Sequence, residues 1–327
     1  MIILQSIIFI VAIAAVVKSA DWFLSAAKSV GDFLRMPPFI MGVLLVGLGT
    51  SLPELATSVA AVLNGNSEIA LGNVIGSNVA NVLVIIGIAT LMMGTVRFQK
   101  NLMDIDIPLL IATTILFVML AVDGVLTGPE AVLLLVGCAG YVLYSLLHSD
   151  RQEFQRGLVT LMRLMVQSRR RPKQPRADAQ RLPWWVWAQL VGSLVLLAVA
   201  STYAVDSLLE IVRLIGIGAG VVSFFALAIG TSLPELVVSL KALRRGEGDL
   251  VVGNIIGSCI FNLLLIAGLA GVIAPQTLSL PSGHWMLAGM LVAAAMLGLG
   301  SLTKRLQIWD GVVFLLLYAA LSMQLIA

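Results

Sequence analysis

The chain has 327 residues, of which 59% are hydrophobic and 11% are charged, whereas soluble globular domains average about 45–50% apolar and about 25% charged residues. A mean hydropathy of +1.03 over the whole length excludes a soluble enzyme, a disordered chain and a disulfide-stapled secreted domain. Because a spanning helix needs roughly 20 apolar residues, the composition predicts an all-α polytopic membrane protein with about ten transmembrane helices.

Apolar segments follow one another along the chain, separated by polar residues or by Gly/Pro breaks. The first five lie at roughly residues 2–27, 38–63, 69–94, 105–122 and 128–147, and five more lie at about 184–205, 216–243, 250–274, 285–302 and 308–326. No basic residue precedes the first apolar run, so we expect it to be a mature helix rather than a cleaved signal peptide. The expected organisation is a five-helix repeat (1–148), a linker (149–183) and a second five-helix repeat (184–327).

The linker is strongly basic. Between Asp150 and Leu182 there are nine Lys or Arg residues and three acids, together with two prolines. Short basic loops are typical of the cytoplasmic side of a membrane protein. We therefore expect a solvated cytoplasmic linker rather than a site for nucleic acid or anionic lipid.

The two halves share an internal repeat. Residues 49–89 align without gaps to residues 230–270 at a constant offset of 181, and 20 of the 41 positions are identical. Five spans per repeat force the second copy to enter the membrane in the opposite direction, as in many secondary transporters.

Charge gives an independent test of this inversion. The hairpin tip at Asn64–Glu68 has no Lys or Arg, while the equivalent tip in the second copy has Lys241, Arg244 and Arg245. With both termini outside, 18 of the 20 Lys and Arg residues fall on the cytoplasmic side, and external loops hold only Arg213. The positive-inside bias thus predicts a multi-pass protein of the cell (inner) membrane with a cytoplasmic linker.

Two glutamates lie inside apolar segments. Glu54 and Glu235 occupy equivalent places in the two copies of Gly-Thr-Ser-Leu-Pro-Glu-Leu. An ionisable group in the middle of a span costs at least about 2.5–3.5 kcal/mol and by default indicates function. Duplication within identical surroundings makes a pure packing role improbable, so we expect the two carboxyl groups to meet near the middle of the bilayer.

Neutral oxygen donors surround each glutamate in the sequence. Helical spacing places Thr50 and Ser51 on the face of Glu54, and the proline of each motif is expected to free backbone carbonyls near Gly47–Gly49 and Ala228–Gly230. The following helix adds a polar stripe. Its members, for which ligation is favoured over packing, are Ser77, Asn81, Ser258 and Asn262, whereas packing is favoured for Asn73 and Asn254.

This donor set is typical of a site for a hard cation. Two carboxylates neutralise one Ca²⁺, which takes 6 to 8 oxygen ligands, whereas thiolate and imidazole ligands suit zinc or copper. Neither Cys138 nor Cys259 lies in a metal-thiolate or disulfide pattern. Because an empty, doubly ionised site is costly in low dielectric, the carboxylates must bind Na⁺ or H⁺ when calcium leaves, so exchange is expected rather than uniport.

The paired Gly-Thr-Ser-Leu-Pro-Glu-Leu and Gly-Asn-x-Ile-Gly-Ser-x-x-x-Asn blocks resemble the two alpha-repeats of the calcium/cation antiporter superfamily, especially its prokaryotic sodium/calcium and calcium/proton exchangers. The resemblance implies a ten-helix inverted-repeat fold with alternating access, in which the first and sixth helices slide against the rest. It also implies that Glu54 and Glu235 bind calcium and the counter-ion. The flanking sodium sites would use Thr50, Ser51, Ser77, Thr231, Ser232 and Ser258, with carbonyls of Gly47 and Ala228.

One departure leaves the driving ion open. In the sodium-coupled branch, one of the positions matching Asn81 and Asn262 is commonly aspartate, whereas both are asparagine here. That pattern is similar to the proton-coupled branch. Carboxamide oxygens can ligate calcium but accept no proton at neutral pH.

The expected function is a Ca²⁺ antiporter driven by Na⁺ or H⁺, with no covalent chemistry, no cofactor beyond the transported ions and no nucleic-acid partner. Three alternative functions are also considered from the sequence: another exchanger, a channel and a hydrolase. An exchanger for Mg²⁺, Mn²⁺ or a K⁺-linked cation uses the same fold, a cation channel would show uncoupled current, and an intramembrane hydrolase lacks an aspartyl-protease-type Gly-x-Gly-Asp motif. Stoichiometry, oligomeric state and regulation are not determined by the sequence.

Overall fold

The computed structural model describes residues 1–97, 106–148, 182–215, 232–277, 282–303 and 305–326. In the first half, the helices are α1 (Ile2–Leu34), α2 (Pro38–Met41), α3 (Leu48–Thr50), α4 (Leu52–Leu63), α5 (Ser67–Val79), α6 (Ile86–Met93), α7 (Ile107–Ala121) and α8 (Gly128–His148). Two π-helical segments, π1 (Gly42–Gly47) and π2 (Ala80–Ile85), and two strands, β1 (Thr95–Arg97) and β2 (Val125–Leu126), lie between them.

The second half follows the same order. Its helices are α9 (Trp184–Leu214), α10 (Leu233–Arg244), α11 (Gly248–Phe261), α12 (Ala267–Ile273), α13 (Ser282–Leu302) and α14 (Ile308–Ile326). The segment π3 (Asn262–Ile266) joins α11 to α12, and the strands are β3 (Gln276–Thr277) and β4 (Arg305–Gln307).

Six of the described helical stretches are long and apolar enough to cross a membrane: Ile2–Leu34, Pro38–Leu63, Ser67–Met93, Gly128–Leu146, Trp184–Ile211 and Gly248–Ile273. Three shorter apolar helices lie at Ile107–Ala121, His284–Gly300 and Ile308–Gln324. Helix therefore occupies each of the ten apolar segments predicted from the sequence, the seventh being described only from its last part. The all-α polytopic prediction is confirmed.

The first helix of each repeat is longer than predicted. Helix α1 ends at Leu34 rather than near residue 27, and α9 ends at Leu214 rather than near residue 205. Polar residues such as Lys28 and Asp32 interrupt the apolar pattern, but they do not break a helix, and the chain has no proline before Pro37. Hydropathy therefore marked the end of the apolar stretch and not the end of the helix.

Two small antiparallel strand pairs display the inverted symmetry. Strand β1 pairs with β4, and β2 pairs with β3. The offset of 181 converts β1 into β3 and β2 into the region of β4, so the symmetry exchanges the two strand pairs. The hairpin tips obey the same relation, because Gly65 and Gly246 both adopt positive φ values, of 79° and 75°, a conformation that favours glycine.

Helices from the two repeats interlock at the centre of the bundle. Helix α11 packs against π1, and α1 packs along α9 over most of its length. A Cβ atom on Gly42 would collide with the Leu250 carbonyl oxygen, and one on Gly253 would collide with the Phe39 carbonyl oxygen. These glycines let the backbones approach closely, as expected for small residues between membrane helices.

Basic residues collect at one end of the bundle. Lys241 and Arg245 bind Asp21 on α1, with N–O distances of 2.7 Å and 3.1 Å, and Lys28 binds Glu247 at 2.7 Å. Arg97 and Arg305 are register partners in the β1–β4 pair, and α10 packs near α6, which leads into β1. The opposite strand pair, β2 with β3, contains no Lys or Arg. The sequence predicts that basic residues lie mainly on one side of the membrane, and in the structure these basic residues lie at the same end of the bundle.

Candidate functional site

The two intramembrane glutamates meet inside the bundle. Glu54 lies in the first turn of α4 and Glu235 in the first turn of α10, at the points where helix restarts after Ser51 and Ser232. Their exposed fractions are 1% and 0%, and the two carboxyl groups interact electrostatically with each other. The fold therefore brings together two acids that are 181 positions apart in the sequence.

Several buried oxygen atoms around this pair have no hydrogen-bond partner among the described residues. They are both carboxylate oxygens of Glu54, Oε2 of Glu235, the Ser232 hydroxyl and the side-chain carbonyls of Asn81 and Asn262. Buried polar atoms in folded proteins are nearly always paired. An unpaired set of this kind, composed mainly of acceptors, matches the ligand requirement of a hard cation.

Each glutamate lies against the other repeat. Helix α4, which carries Glu54, packs on π3, which begins at Asn262, while α10, which carries Glu235, packs on π2, which contains Asn81. Both π segments begin at or next to the asparagine that the sequence analysis singled out. Such local widening of a helix is frequent at functional sites.

The Ser51 hydroxyl differs from the sequence-based expectation. Spacing placed Ser51 on the same helical face as Glu54, but its Oγ donates to Glu235 Oε1 at 3.4 Å. The reason is that Ser51 is the bend residue before α4, with φ −82° and ψ 0°. Because Ser51 precedes α4, its side chain is not constrained to the helical face of Glu54. It points instead to the glutamate of the other repeat.

The Gly47 carbonyl also differs from expectation. It was predicted to be freed by Pro53, but it accepts a hydrogen bond from the Ser51 backbone N–H at 3.1 Å and one from Ser258 Oγ at 3.2 Å. The chain widens into π1 before the proline instead of unwinding. A cation ligated by this carbonyl would share it with those two donors and with Thr50 Oγ1, which lies 3.4 Å from it.

The outer polar residues brace the helices. Asn254 Nδ2 donates to Ser239 Oγ at 3.0 Å, and Asn73 Nδ2 donates to Ser58 Oγ at the same distance. These hydrogen bonds join neighbouring helices, which is the role favoured for Asn73 and Asn254 from the sequence. Ser58 and Ser239 were not among the predicted residues, although they are identical residues at the repeat offset and could have been found by that signal.

The remaining predicted site residues fall into two groups. Thr50, Ser77 and Ser258 are fully buried, and Thr50 Oγ1 donates to Asn254 Oδ1 at 3.2 Å. Thr231 and Ala228 lie outside the described residues. The described residues therefore include every predicted ligand of the first repeat and, from the second repeat, Ser232, Glu235, Ser258 and Asn262.

Two residues that sequence reasoning left aside lie next to the predicted ligands. Asn78 Oδ1 accepts a hydrogen bond from Asn262 Nδ2 at 3.1 Å, and the Cys259 side chain lies beside that of Asn81. Both cysteines are free thiols, as predicted. Position 78 was overlooked because its counterpart in the second repeat, Cys259, is not identical to it.

The charge at the site comes from the two glutamates. Among the residues that the structure describes, no group of three or more His, Cys, Asp or Glu side chains could hold a metal ion. A divalent cation at this place would therefore be held by two carboxylates completed by neutral oxygens. That arrangement is compatible with Ca²⁺, whose coordination shell readily accepts carbonyl and amide oxygens.

The chain is similar to known proteins over most of its length. The sequence profile of the family described as sodium/calcium exchanger protein matches residues 4–147 and 185–326, which is most of the chain. The sodium/calcium exchanger MaX1 of Methanosarcina acetivorans is 30% identical over 347 aligned positions, covering 98% of each chain. The inner membrane protein YrbG of Escherichia coli (strain K12) is 32% identical over 272 positions, covering 83% of this chain and 81% of that protein.

The fold is also similar to a solved structure. The sodium-calcium exchanger NCX_Mj, soaked with 100 mM Na⁺ and 10 mM Sr²⁺, superposes with a TM-score of 0.79 over 98% of both chains at 24% identity. At that identity the likeness supports the fold, while the profile match and the two relatives define the family. The chain therefore belongs to the sodium/calcium exchanger family of the calcium/cation antiporter superfamily.

Proposed function

We propose that this protein is a secondary antiporter that moves Ca²⁺ across the cell membrane in exchange for Na⁺ or H⁺. The observation that carries the proposal is the pair of fully buried glutamates, Glu54 and Glu235, with three carboxylate oxygens that have no hydrogen-bond partner among the described residues. Bare carboxylates at this depth are strongly unfavourable, so the site requires a positive charge.

Calcium satisfies this requirement with the donors at hand. Two carboxylates match the charge of one Ca²⁺, and the unpaired oxygens of Ser232, Asn81 and Asn262 supply neutral ligands. Mg²⁺ demands near-ideal octahedral geometry and keeps several of its waters. Calcium, with its larger and more flexible shell, is therefore the substrate that we propose.

Coupling follows from the same charge requirement. When Ca²⁺ leaves, the two carboxylates repel each other in a medium of low dielectric, where Coulomb interactions are strong. Two Na⁺ ions or two protons restore neutrality and allow the protein to return across its conformational cycle. Hydroxyls such as that of Ser51, which already contacts Glu235, are suitable ligands for Na⁺.

The proposed alternating access uses the contact between α1 and α9. These are the first helices of the two repeats, and they pack against each other more extensively than any other pair of described elements. Their contacts with the inner helices are less extensive than their contact with each other. These contacts include the ion pairs of Asp21 and Lys28. We propose that α1 and α9 move as one unit past the glutamate pair.

Under the positive-inside bias, the end that carries Lys28, Lys241 and Arg245 is placed in the cytoplasm, together with the linker 149–183. Both termini then lie outside. Ca²⁺ that binds from the cytoplasmic side is exported, and Na⁺ or H⁺ enters down its gradient.

The proposal is tested with purified protein in liposomes. We expect ⁴⁵Ca²⁺ uptake when an outward Na⁺ or H⁺ gradient is imposed, and Glu54→Gln and Glu235→Gln should each reduce the rate by about 100-fold or more, because each leaves one buried charge uncompensated. The matched control is Glu130→Gln at the exposed start of α8, which should transport normally. Retention of exchange by both site variants would show that the site is wrongly assigned.

The driving ion is decided by replacement. Uptake that disappears when choline replaces Na⁺ at fixed pH indicates sodium coupling, and uptake that persists and follows an imposed pH gradient indicates proton coupling. Competition by Mg²⁺ or Mn²⁺ in the same assay measures the selectivity for calcium.

A further inference from the structure

The two asparagines of the π segments that pack on α4 and α10 are not equivalent. Asn81 and Asn262 occupy the same position in the two repeats, at the offset of 181. Asn262 Nδ2 donates to Asn78 Oδ1 at 3.1 Å, whereas neither Nδ2 nor Oδ1 of Asn81 has a hydrogen-bond partner among the described residues. The difference lies in the residue that precedes each asparagine by three positions.

That preceding residue is Asn78 in the first repeat and Cys259 in the second, and each lies against the asparagine of the opposite repeat. Asn78, Cys259 and Asn262 are all buried, with at most 3% of each exposed. A carboxamide offers a strong donor and a strong acceptor, while a thiol is weak in both roles. Asn262 therefore has a stronger hydrogen-bonding partner, the Asn78 carboxamide, than Asn81 has in the Cys259 thiol.

A chain of hydrogen bonds fixes the orientation of the Asn262 side chain. Asn78 Nδ2 donates to the backbone carbonyl of Cys259 at 3.1 Å, and a backbone carbonyl can only accept. The Oδ1 of Asn78 must therefore face Asn262 and can only accept from its Nδ2. As a result, Asn262 is left with Oδ1, which is buried without a partner among the described residues, as the atom available to a cation.

Asn81 is held less firmly. Its side chain lies against the Cys259 thiol, which is a weaker hydrogen-bonding partner than a carboxamide. Binding of a cation by Asn81 thus has to include the cost of orienting its side chain, whereas Asn262 is already oriented.

We propose, on the basis of the function proposed above, that Asn78 is a positioning residue that presents Asn262 Oδ1 to the transported divalent cation. The Cys259 thiol holds the equivalent Asn81 less firmly, so the second repeat's asparagine contributes more to calcium affinity than the first repeat's. Partners that orient a ligand commonly change metal affinity by 10-fold to 100-fold when they are mutated. A neutral hydrogen bond falls at the lower end of that range.

The test measures KM and maximal rate for Ca²⁺ exchange in liposomes, together with equilibrium ⁴⁵Ca²⁺ binding, for Asn78→Ala, Asn262→Ala and the double variant. We expect Asn78→Ala to raise KM by about 10-fold with a nearly unchanged maximal rate. In the Asn262→Ala background it should have no further effect, because residues that act through one another are non-additive. Equal effects of Asn78→Ala in both backgrounds, or an unchanged KM, would overturn the proposal.

A second arm adds an interaction instead of removing one. Cys259→Asn supplies Asn81 with the partner that Asn262 already has, and we expect it to lower KM and to make Asn81→Ala more damaging than it is in the parent protein. Cys259→Ser, which adds no carboxamide, is the matched control. If Asn78→Ala does not fold, the Cys259→Asn variant tests the proposal by itself. A KM of Cys259→Asn equal to that of the parent protein would reject the proposal. Absence of calcium binding and exchange in the parent protein would instead reject the proposed function.

Discussion

Ser51 and Ser58 lie on the same short stretch of chain but have different surroundings. Ser51 Oγ donates to a carboxylate oxygen of Glu235 at 3.4 Å. Ser58 Oγ accepts from Asn73 Nδ2 at 3.0 Å. The Ser51 hydroxyl hydrogen-bonds a carboxylate of the candidate site, whereas the Ser58 hydroxyl joins helices α4 and α5.

This difference predicts separate consequences for two matched substitutions. Ser51→Ala should raise the KM for exchange by about 3-fold to 10-fold, the equivalent of one hydrogen bond of about 1 kcal/mol, and should leave thermal stability nearly unchanged. Ser58→Ala should lower the unfolding temperature in detergent, because it leaves one buried amide hydrogen unpaired, and should change KM little. Calcium flux and a thermal-shift assay measure the two effects, and the reverse result would contradict the assignment of roles.

At the scale of elements, close contact between the repeats depends on glycine. Gly253 on α11 faces the backbone of α2 and π1, and Gly257 lies one turn further along, where a Cβ atom would come within 2.9 Å of Val43 Cα. The obstructing atoms belong to backbone, which cannot move aside as a flexible side chain can. The crossing of α11 and π1 therefore sets the separation of the glutamates from the opposite repeat.

Gly253→Ala should consequently separate the repeats. We expect a loss of stability of roughly 1–3 kcal/mol, the usual range for overpacking, together with a sharp fall in calcium affinity. The control is Gly140→Ala on the exposed face of α8, where no described atom lies within 4 Å of the added Cβ. That control should be neutral or slightly stabilising because alanine favours helix. Monodispersity after heating and ⁴⁵Ca²⁺ binding provide the readouts, and a stable Gly253→Ala protein with normal binding would disprove the argument.

Within the described part of the chain, the molecule has one basic end and one end without clustered bases. Lys28, Lys241 and Arg245 form ion pairs at the first end, and Thr277 of β3 hydrogen-bonds Ser67 at the other. An inverted repeat makes these ends structurally similar, so charge is the feature that distinguishes them. The positive-inside bias then orients the protein in the membrane.

Labelling in whole cells tests that orientation. A membrane-impermeant maleimide should react with Thr277→Cys from outside, and should react with Arg244→Cys only after permeabilisation. Both positions are exposed, while the native Cys138 and Cys259 are buried and should give little background. Labelling of Arg244→Cys in intact cells would contradict the proposed orientation and would indicate that the basic end of the bundle lies outside.

The number of spans, the inverted repeat and the two buried acids were predictable from the sequence because each is a local or one-dimensional signal. Apolar length marks a spanning helix, and a constant offset of 181 marks the duplication and identifies Glu54 and Glu235 as a pair. Helix ends were less predictable, as α1 shows, because polarity changes before the helix stops.

The partners at the site were decided by the tertiary structure. Ser51 binds the glutamate of the other repeat, the Gly47 carbonyl is occupied by Ser258 and Ser51, and Asn262 is oriented by Asn78. The Ser51–Glu235 and Asn78–Asn262 contacts join residues 184 positions apart, and the Ser258–Gly47 contact joins residues 211 positions apart. They depend on the rotation of each helix and on how closely the repeats cross. Periodicity and composition carry no information on either quantity, so the sequence identified the candidate ligands and the packing of the two repeats determined what each of them contacts.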